Sequence, residues 1–395
     1  MLDDDSKQSR RNLDKIYRCN YIAKMKLLVV STSDSRKLSS WSNVPYLFCK
    51  HLEERGITLY RFTLNESLVI NYVVRIAQRV FGVFGGPHSL WRYSRSQLYA
   101  WIASIKITRE ADRNDVDAIL VLNLSYGPRF PSRYSVYLFG DWTFDYAINI
   151  HRNKRPDEHE QSAIIREQQL IRSADNTFVL YPMAAKYLRD TIPGARISYI
   201  GNVVNAVEKP CARCITLKQR SLSLLFIGKE HYAQGANTLL KAFKLLRGKY
   251  PELCLDIVGI EANFFSKLPD RVKCHGYLDK GVDDQRSKYY ELIKKATIFV
   301  NTNPRWSGFS AMLEAMYFYT PIITSANQET LETFGNHLDF GYYSRGERGA
   351  ALADLVTMIL ESEDYESMAQ AAHTAASPYS WRSYIDRFLH AISTA

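Results

Sequence analysis

Apolar positions along this chain follow two periods in alternation. Short unbroken runs such as Met25-Lys26-Leu27-Leu28-Val29-Val30, Ser223-Leu224-Leu225-Phe226-Ile227 and Thr297-Ile298-Phe299-Val300 predict strands covered on both faces, the pattern of parallel sheets. Stretches with helical spacing separate them. In the first half the pattern predicts strands over 25–32, 57–62, 117–123, 134–139, 177–180 and 197–200, with helices over 44–55, 162–173 and 184–190. A polar stretch, 203–221, carries Pro210 and no clear period, and then the alternation resumes. Strands are predicted over 223–228, 253–258, 272–276, 297–300 and 321–324, and helices over 236–248, 286–295 and 310–318. Such alternation builds βαβ units and parallel sheets. A chain of 395 residues exceeds what one core supports, so two doubly wound α/β domains are expected. The expected division is a polar leader 1–24, a first domain 25–203, a linker 204–221, a second domain 222–376 and a closing helix within 377–395.

Composition narrows the class only a little: 46% apolar and 23% charged residues are ordinary for a globular protein. Residues 1–24 lack the apolar segment of a signal peptide. The folded body is expected to begin at Met25, and removal of 1–24 is expected to leave folding intact. Six cysteines, at positions 19, 49, 211, 214, 254 and 274, form no disulfide framework and suit a reducing cytoplasm. Cys211 and Cys214 make a lone CxxC with no second pair to complete a zinc site. The net charge of +10 sits almost wholly in residues 1–205, which hold 29 Lys/Arg against 20 Asp/Glu. A basic half of this kind fits peripheral contact with an anionic membrane, a solvated face with no partner, or nucleic acid. No nucleic-acid module signature appears, so no such partner is expected. Residues 67–109 read as mostly helical, broken at Gly85-Gly86-Pro87. Their apolar run 68–81, with Arg75 and Arg79, is too interrupted to span a bilayer. It fits a helix packed on the sheet or one lying in a membrane interface. No GxGxxG follows the first strand, which argues against NAD.

Two places put chemistry at strand ends. Asp141 stands just past the strand 134–139, where a carboxylate either meets a ligand or bonds its own turn. The stretch 302–325, TNPRWSGFSAMLEAMYFYTPIITS, reads as strand, polar loop, helix and strand. Its loop falls at a strand's carboxyl end, and Glu314 sits in the first turns of the helix, among amides able to receive an anion.

This stretch also resembles the signature of the family-4 (group 1), retaining, GT-B-fold glycosyltransferases. Leu313-Glu314-Ala315-Met316 and Pro321-Ile322-Ile323-Thr324 carry the match. The family's first glutamate, eight residues before its second, is replaced by Trp306, or by Ser307 if one residue is gapped. The loop Gly228-Lys229-Glu230-His231-Tyr232-Ala233-Gln234-Gly235 is similar to one that supplies Gly-Arg and then Lys-Gly in the family. Both glycines and the spacing survive; the arginine has become Lys229 and the lysine Gln234. His275-Gly276-Tyr277 is similar to a loop whose backbone contacts the base, with His275 read as structural. Tyr379-Ser380-Trp381 is similar to the opening of a final helix that crosses back over the first domain. Where the family's first loop often has paired glycines, Ser39-Ser40-Trp41 stands.

The resemblance implies two Rossmann-like domains facing a cleft. It also implies sugar transfer, with retention, from a nucleotide-sugar donor to a polysaccharide, lipid-linked or glycan acceptor, without metal or cofactor. It places the donor at Gly228, Lys229, Gln234, Gly235, Gly276, Tyr277, Gly308, Phe309, Ser310 and Glu314, with Lys229 on the diphosphate and Glu314 on the ribose. Arg305, Trp306 and Ser307 complete that side, Arg305 by its position making up the missing charge. Asp141 faces the sugar or acceptor and, with Lys229, is the catalytic candidate. The alternatives are a degenerate member that binds nucleotide sugar, or serves as a partner subunit, without turnover, and a basic scaffold that has kept only the fold.

Overall fold

The computed structural model describes residues 25–64, 93–124, 133–304, 308–346 and 348–394. The leader, the part of the 67–109 reading before Tyr93, and Arg305, Trp306 and Ser307 lie outside these residues. The chain divides into two units, one running to Gly201 and rejoined by the residues from Ile385, the other Asn202–Tyr384.

The first unit is a six-stranded parallel sheet in the order β2-β1-β3-β4-β5-β6. Its strands are β1 (Lys26–Ser31), β2 (Thr58–Thr63), β3 (Ala118–Val121), β4 (Ser135–Gly140), β5 (Asn176–Val179) and β6 (Ile197–Tyr199). Leu27 of β1 stands opposite Leu59 on one side and Ala118 on the other. Leu27, Leu28 and Val29 are fully buried, which is why this run carries no alternation. The helix Glu158–Ser173 begins four residues before the apolar period does, because Asp157 and Glu160 close a capping box there.

The second unit is again six-stranded and parallel, in the order β12-β11-β10-β7-β8-β9. These are β7 (Ser223–Ile227), β8 (Cys254–Val258), β9 (Val272–Cys274), β10 (Ile298–Asn301), β11 (Ile322–Ser325) and β12 (Gly341–Ser344). Helices Ala233–Leu246, Asp283–Lys295 and Phe309–Tyr317 alternate with them. Leu224, Phe226, Phe243, Val300 and Val356 form the heart of its core.

Both sheets contain a point where the chain reverses its direction of growth. In the first it lies at β1/β3, since β2 was laid on the other side of β1; in the second it lies at β7/β10. Connections leave such a point on opposite faces, so the strand ends there open a crevice.

The final helix, Trp381–Ser393, serves both units. Trp381 donates its indole N–H to Asn205 Oδ1 at 3.1 Å in the second unit. In the first, Phe388 packs on Phe48 and Phe178, and Asp386 accepts two bonds from Arg55 at 2.7 and 2.8 Å.

The polar stretch 203–221 is not irregular throughout, for it ends in a helix, Cys214–Ser221. Its buried residues are Ile215 and Lys218, and Lys218 Nζ donates to the carbonyls of Ile293 (2.6 Å) and Ala296 (3.2 Å) and to Thr320 Oγ1 (2.8 Å). A lysine in the buried slot erases the apolar period that marks a helix. No described helix is long and apolar enough to cross a membrane.

Candidate functional site

In the second unit the strand ends at the β7/β10 point are drawn together by glycines. Gly228 follows β7 and donates its N–H to Val258 O at 2.9 Å. Gly259 follows β8 with φ +98°, and a Cβ on it would stand 2.5 Å from Gly228 O. Its N–H in turn donates to Gly276 O at 2.7 Å. Gly308 follows β10 at φ +58°, where a Cβ would meet Asn301 Nδ2 at 2.5 Å; that amide donates to Ile227 O at 3.2 Å. Gly235, in the first turn of its helix, comes so near β10's loop that a Cβ would lie 3.0 Å from Asn303 N. The glycines let these loops pack closely, Gly259 on Gly228 O and Gly235 on the loop after β10, while the side chains of Tyr232, Glu261 and Asn301 fill the space beside Gly228, Gly276 and Gly308.

Over that edge stands Lys229, exposed, with Nζ 5.1 Å from the centre of the half-exposed Tyr277 ring. Beside it His231 is held below the usual imidazole range, first by partial burial and then by the Lys229 charge. Neither the Ala233–Leu246 nor the Phe309–Tyr317 helix has a side-chain cap at its N-terminus among the described residues. The edge therefore offers a cation and two positive helix ends, the elements that hold a diphosphate. Thr302 Oγ1, beside Gly235, is buried and has no hydrogen-bond partner among the described residues. Gln234 is exposed on the first helical turn, and Ser310 is half-buried. Phe309 is committed to packing, its ring stacked on Phe334 at 5.9 Å.

Glu314, the residue expected on the ribose, lies in a buried hydrogen-bond network. It is 2% exposed, and Lys280 Nζ donates to both its oxygens at 2.7 Å. Tyr289 and Tyr290 donate to one oxygen each, at 2.9 and 3.0 Å. These bonds occupy the acceptor directions of a carboxylate. Burial, and next the Glu314 charge, push both tyrosine hydroxyls well above their ordinary range, so they remain donors. The network ties three elements together, and Lys280 was not among the residues singled out from sequence. His275 is structural as read, bonded through Nε2 to Asp256 Oδ1 at 2.7 Å.

In the first unit a cavity of about 230 Å³ opens at the β1/β3 point. Ser31 at the end of β1, Ser33 beyond it, Leu124 after β3, and Asp141 and Trp142 after β4 line it, with Trp41. Trp41 donates its indole N–H to Asp141 Oδ2 at 3.0 Å and packs on Phe139. No other hydrogen bond reaches the Asp141 carboxyl among the described residues. Burial raises this group from 3.8 to about 6, with the Trp41 bond pulling the other way. The strand end is fixed from behind: Glu167 accepts from the Phe144 N–H with both oxygens at 2.9 Å, and Thr143 caps Tyr146 N at 3.1 Å. Trp41, Ser42 and Asn43 have φ of 39°, 51° and 72°, a left-handed run of non-glycine residues. Backbone strain of this kind concentrates at functional sites. Ser39-Ser40-Trp41 was noted from sequence only as replacing paired glycines; the contact of Trp41 with Asp141, a hundred positions away, has no local signal.

Two parallel sheets, each with helices on its faces and a crevice at its reversal point, define a GT-B architecture. Residues 215–376 match the sequence model of the family described as Glycosyl transferases group 1. The match lies within the second unit, and the fold of the whole chain is that of GT-B glycosyltransferases. No curated protein matches it in sequence. Among solved structures it is similar to Anabaena Alr3699/HepE in complex with UDP and glucose, at 16% identity and TM-score 0.60, covering 93% of this chain and 99% of that one. It is likewise similar to a sucrose-phosphate synthase from Thermosynechococcus elongatus (14% identity, TM-score 0.59, 93% and 100% coverage). A Rickettsia africae glycosyltransferase is similar at 14% identity and TM-score 0.61, with 93% and 97% coverage.

Proposed function

We propose that the chain transfers a sugar, with retention, from a nucleotide-sugar donor to a glycan or lipid-linked acceptor in the cytoplasm. The observation that carries this is the edge of the second unit, where closely packed glycine loops set the exposed Lys229 beside Tyr277 and next to two uncapped helix N-termini. Breaking the anomeric bond leaves a diphosphate anion, and the groups that lower its energy are cations and helix N-termini already in place. Lys229 fills that role in the proposal. Gly228, Gln234, Gly235, Gly276, Tyr277, Gly308, Phe309 and Ser310 surround the nucleotide, Phe309 through its backbone. Solved relatives in complex with UDP and with UDP-glucose make uridine the first base to try. Asp141, with a carboxylate oxygen left for a hydroxyl, stands on the acceptor side. The test is calorimetry with UDP-, GDP- and ADP-sugars, followed by product detection.

A specific observation favours a second reading, a degenerate transferase that binds without turnover. Glu314 is fully engaged by Lys280 and two tyrosines, and neither Trp306 nor Ser307 is a carboxylate. Binding of a nucleotide sugar with no hydrolysis or transfer selects this reading. No binding at all leaves only the fold.

Membrane contact belongs to the proposal too. Leu98 and Trp101, one turn apart on the helix Gln97–Asn114, are 57% and 62% exposed in the basic half of the chain. An aromatic and an aliphatic side chain beside cations suit the headgroup boundary. Co-sedimentation with anionic vesicles, lost with neutral vesicles and weakened in Trp101→Ser, is the expected result.

A further inference from the structure

The cavity of the first unit also speaks to the chemical class of what enters it. Its volume of about 230 Å³ is below the roughly 300–1,000 Å³ of sites for drug-sized ligands, and leaves room for a single ring. Its walls are of two kinds. Trp41 and Trp142 supply flat apolar faces, and both are held: Trp41 by Asp141 and Phe139, Trp142 by stacking on Tyr181 at 5.3 Å and 28°. Ser31, Ser33 and Asn123 supply neutral polar groups. Among the described lining residues Asp141 alone ionises, and no lysine, arginine or histidine accompanies it.

This composition discriminates by charge. A phosphate or carboxylate on the ligand would meet a carboxylate and, among the described lining residues, no cation, at separations where like charges repel strongly in a partly desolvated site. A ring with C–H faces and hydroxyl edges fits instead, its faces against the indoles and a hydroxyl donating to the carboxylate. The loop that carries Trp41 is held left-handed over three non-glycine residues, so the indole is positioned at a conformational cost. Pre-positioned aromatic walls reduce the ordering that binding would otherwise require.

We infer that this cavity binds one uncharged pyranose ring, the terminal residue of the acceptor, between Trp41 and Trp142 with a hydroxyl on Asp141, and that it excludes rings bearing phosphate or carboxylate. Only the word acceptor rests on the transferase reading above; the charge selectivity stands on the cavity itself.

Ligand-observed NMR titration of the full chain at pH 7.5 tests it, with methyl α-glucoside, α-mannoside and α-galactoside as neutral probes and glucuronate and glucose 6-phosphate as anionic ones. At least one neutral glycoside is expected to bind at least tenfold more tightly than either anion. Asp141→Asn is expected to shrink that ratio at least threefold, and Trp142→Ala to weaken the neutral glycoside at least fivefold. A preference for an anion, or no binding of any neutral probe up to about 50 mM, overturns the inference without any variant. A selectivity ratio unmoved in folded Asp141→Asn also overturns it. UDP binding is measured in the same samples. Neutral-ring binding without UDP binding keeps the inference and removes the transferase reading; UDP binding with anion preference does the reverse.

Discussion

Replacing Asp141 by Asn isolates the cost of keeping a carboxylate in the first unit's cavity. The two side chains are nearly the same shape, and the amide oxygen still accepts from Trp41 Nε1, so packing and the 3.0 Å bond are retained. What changes is titration. Burial raises the group from 3.8 in the unfolded chain to about 6 in the folded one. A raised acid holds its proton more tightly when folded, so its stabilising contribution is complete below 3.8 and is lost as pH rises through about 6. The whole loss is about 3 kcal/mol at 1.36 kcal/mol per pH unit, of which roughly 1 kcal/mol falls between about pH 5 and pH 8. Asparagine has no such dependence. Urea denaturation of both proteins at the two pH values, compared by midpoint, cancels every other titrating group, and no other ionisable residue is among the described lining. The advantage of Asp141→Asn over the parent is expected to grow by about 1 kcal/mol across that interval while transfer activity falls. An advantage that stays flat, or that shrinks as pH rises, refutes the account of a carboxylate ionised against its surroundings.

Other perturbations address the second unit. Lys229→Ala removes an exposed cation and is expected to weaken UDP binding by about 1–3 kcal/mol with no change in urea midpoint; unchanged affinity by calorimetry removes Lys229 from the diphosphate. Glu314→Gln leaves the Lys280 ammonium buried without its counter-charge, and a stability loss of about 3–5 kcal/mol is expected. A variant that keeps its midpoint but loses UDP affinity would return Glu314 to the ribose. Gly259→Ala sets a Cβ against Gly228 O at positive φ and should lower stability by at least roughly 2 kcal/mol, a drop that a well-tolerated alanine would disprove. Lys218→Met leaves two helix-end carbonyls without their donor, for an expected loss of about 1–3 kcal/mol in urea; an equal midpoint shows those bonds contribute nothing.

Both sheets were legible because their strands are buried on both faces, and an unbroken apolar run has few other meanings at that length. The runs at 25–32, 223–228 and 297–300 all became central strands, β1, β7 and β10. Legibility failed where a polar residue took an inward position. Lys218 hides the helix Cys214–Ser221 inside an apparent linker, because its ammonium finds three oxygens and the buried slot needs no apolar side chain. Asp157 and Glu160 start a helix before any apolar period exists to announce it. In each case long-range or capping hydrogen bonds replace the hydrophobic pattern from which sequence reading draws its inference.

Site residues divide along the same physical line. Gly228, Gly235 and Gly308 were singled out through the resemblance of their loops, and each stands where a Cβ would crowd a neighbour: Tyr232, the backbone of Asn303 and Asn301 in turn. Glu314 was found, but its partners Lys280, Tyr289 and Tyr290 were not, since nothing local says which way a carboxylate will turn. The first unit's loop is the sharper case. Glycines are the usual sign of left-handed backbone, and here Trp41, Ser42 and Asn43 adopt it without one. At about 1–3 kcal/mol per residue the conformation persists only if other contacts offset it. The indole bond to Asp141, the Phe139 ring and the turn closed by Asn43 N–H on Ser40 O at 2.8 Å are those contacts. The strain and the carboxylate therefore depend on each other: Trp41 stays in its strained position partly because Asp141 accepts its N–H, and Asp141 keeps a defined direction because Trp41 cannot swing away. A glycine loop would make the same turn but leave that carboxylate without the indole bond that fixes its direction.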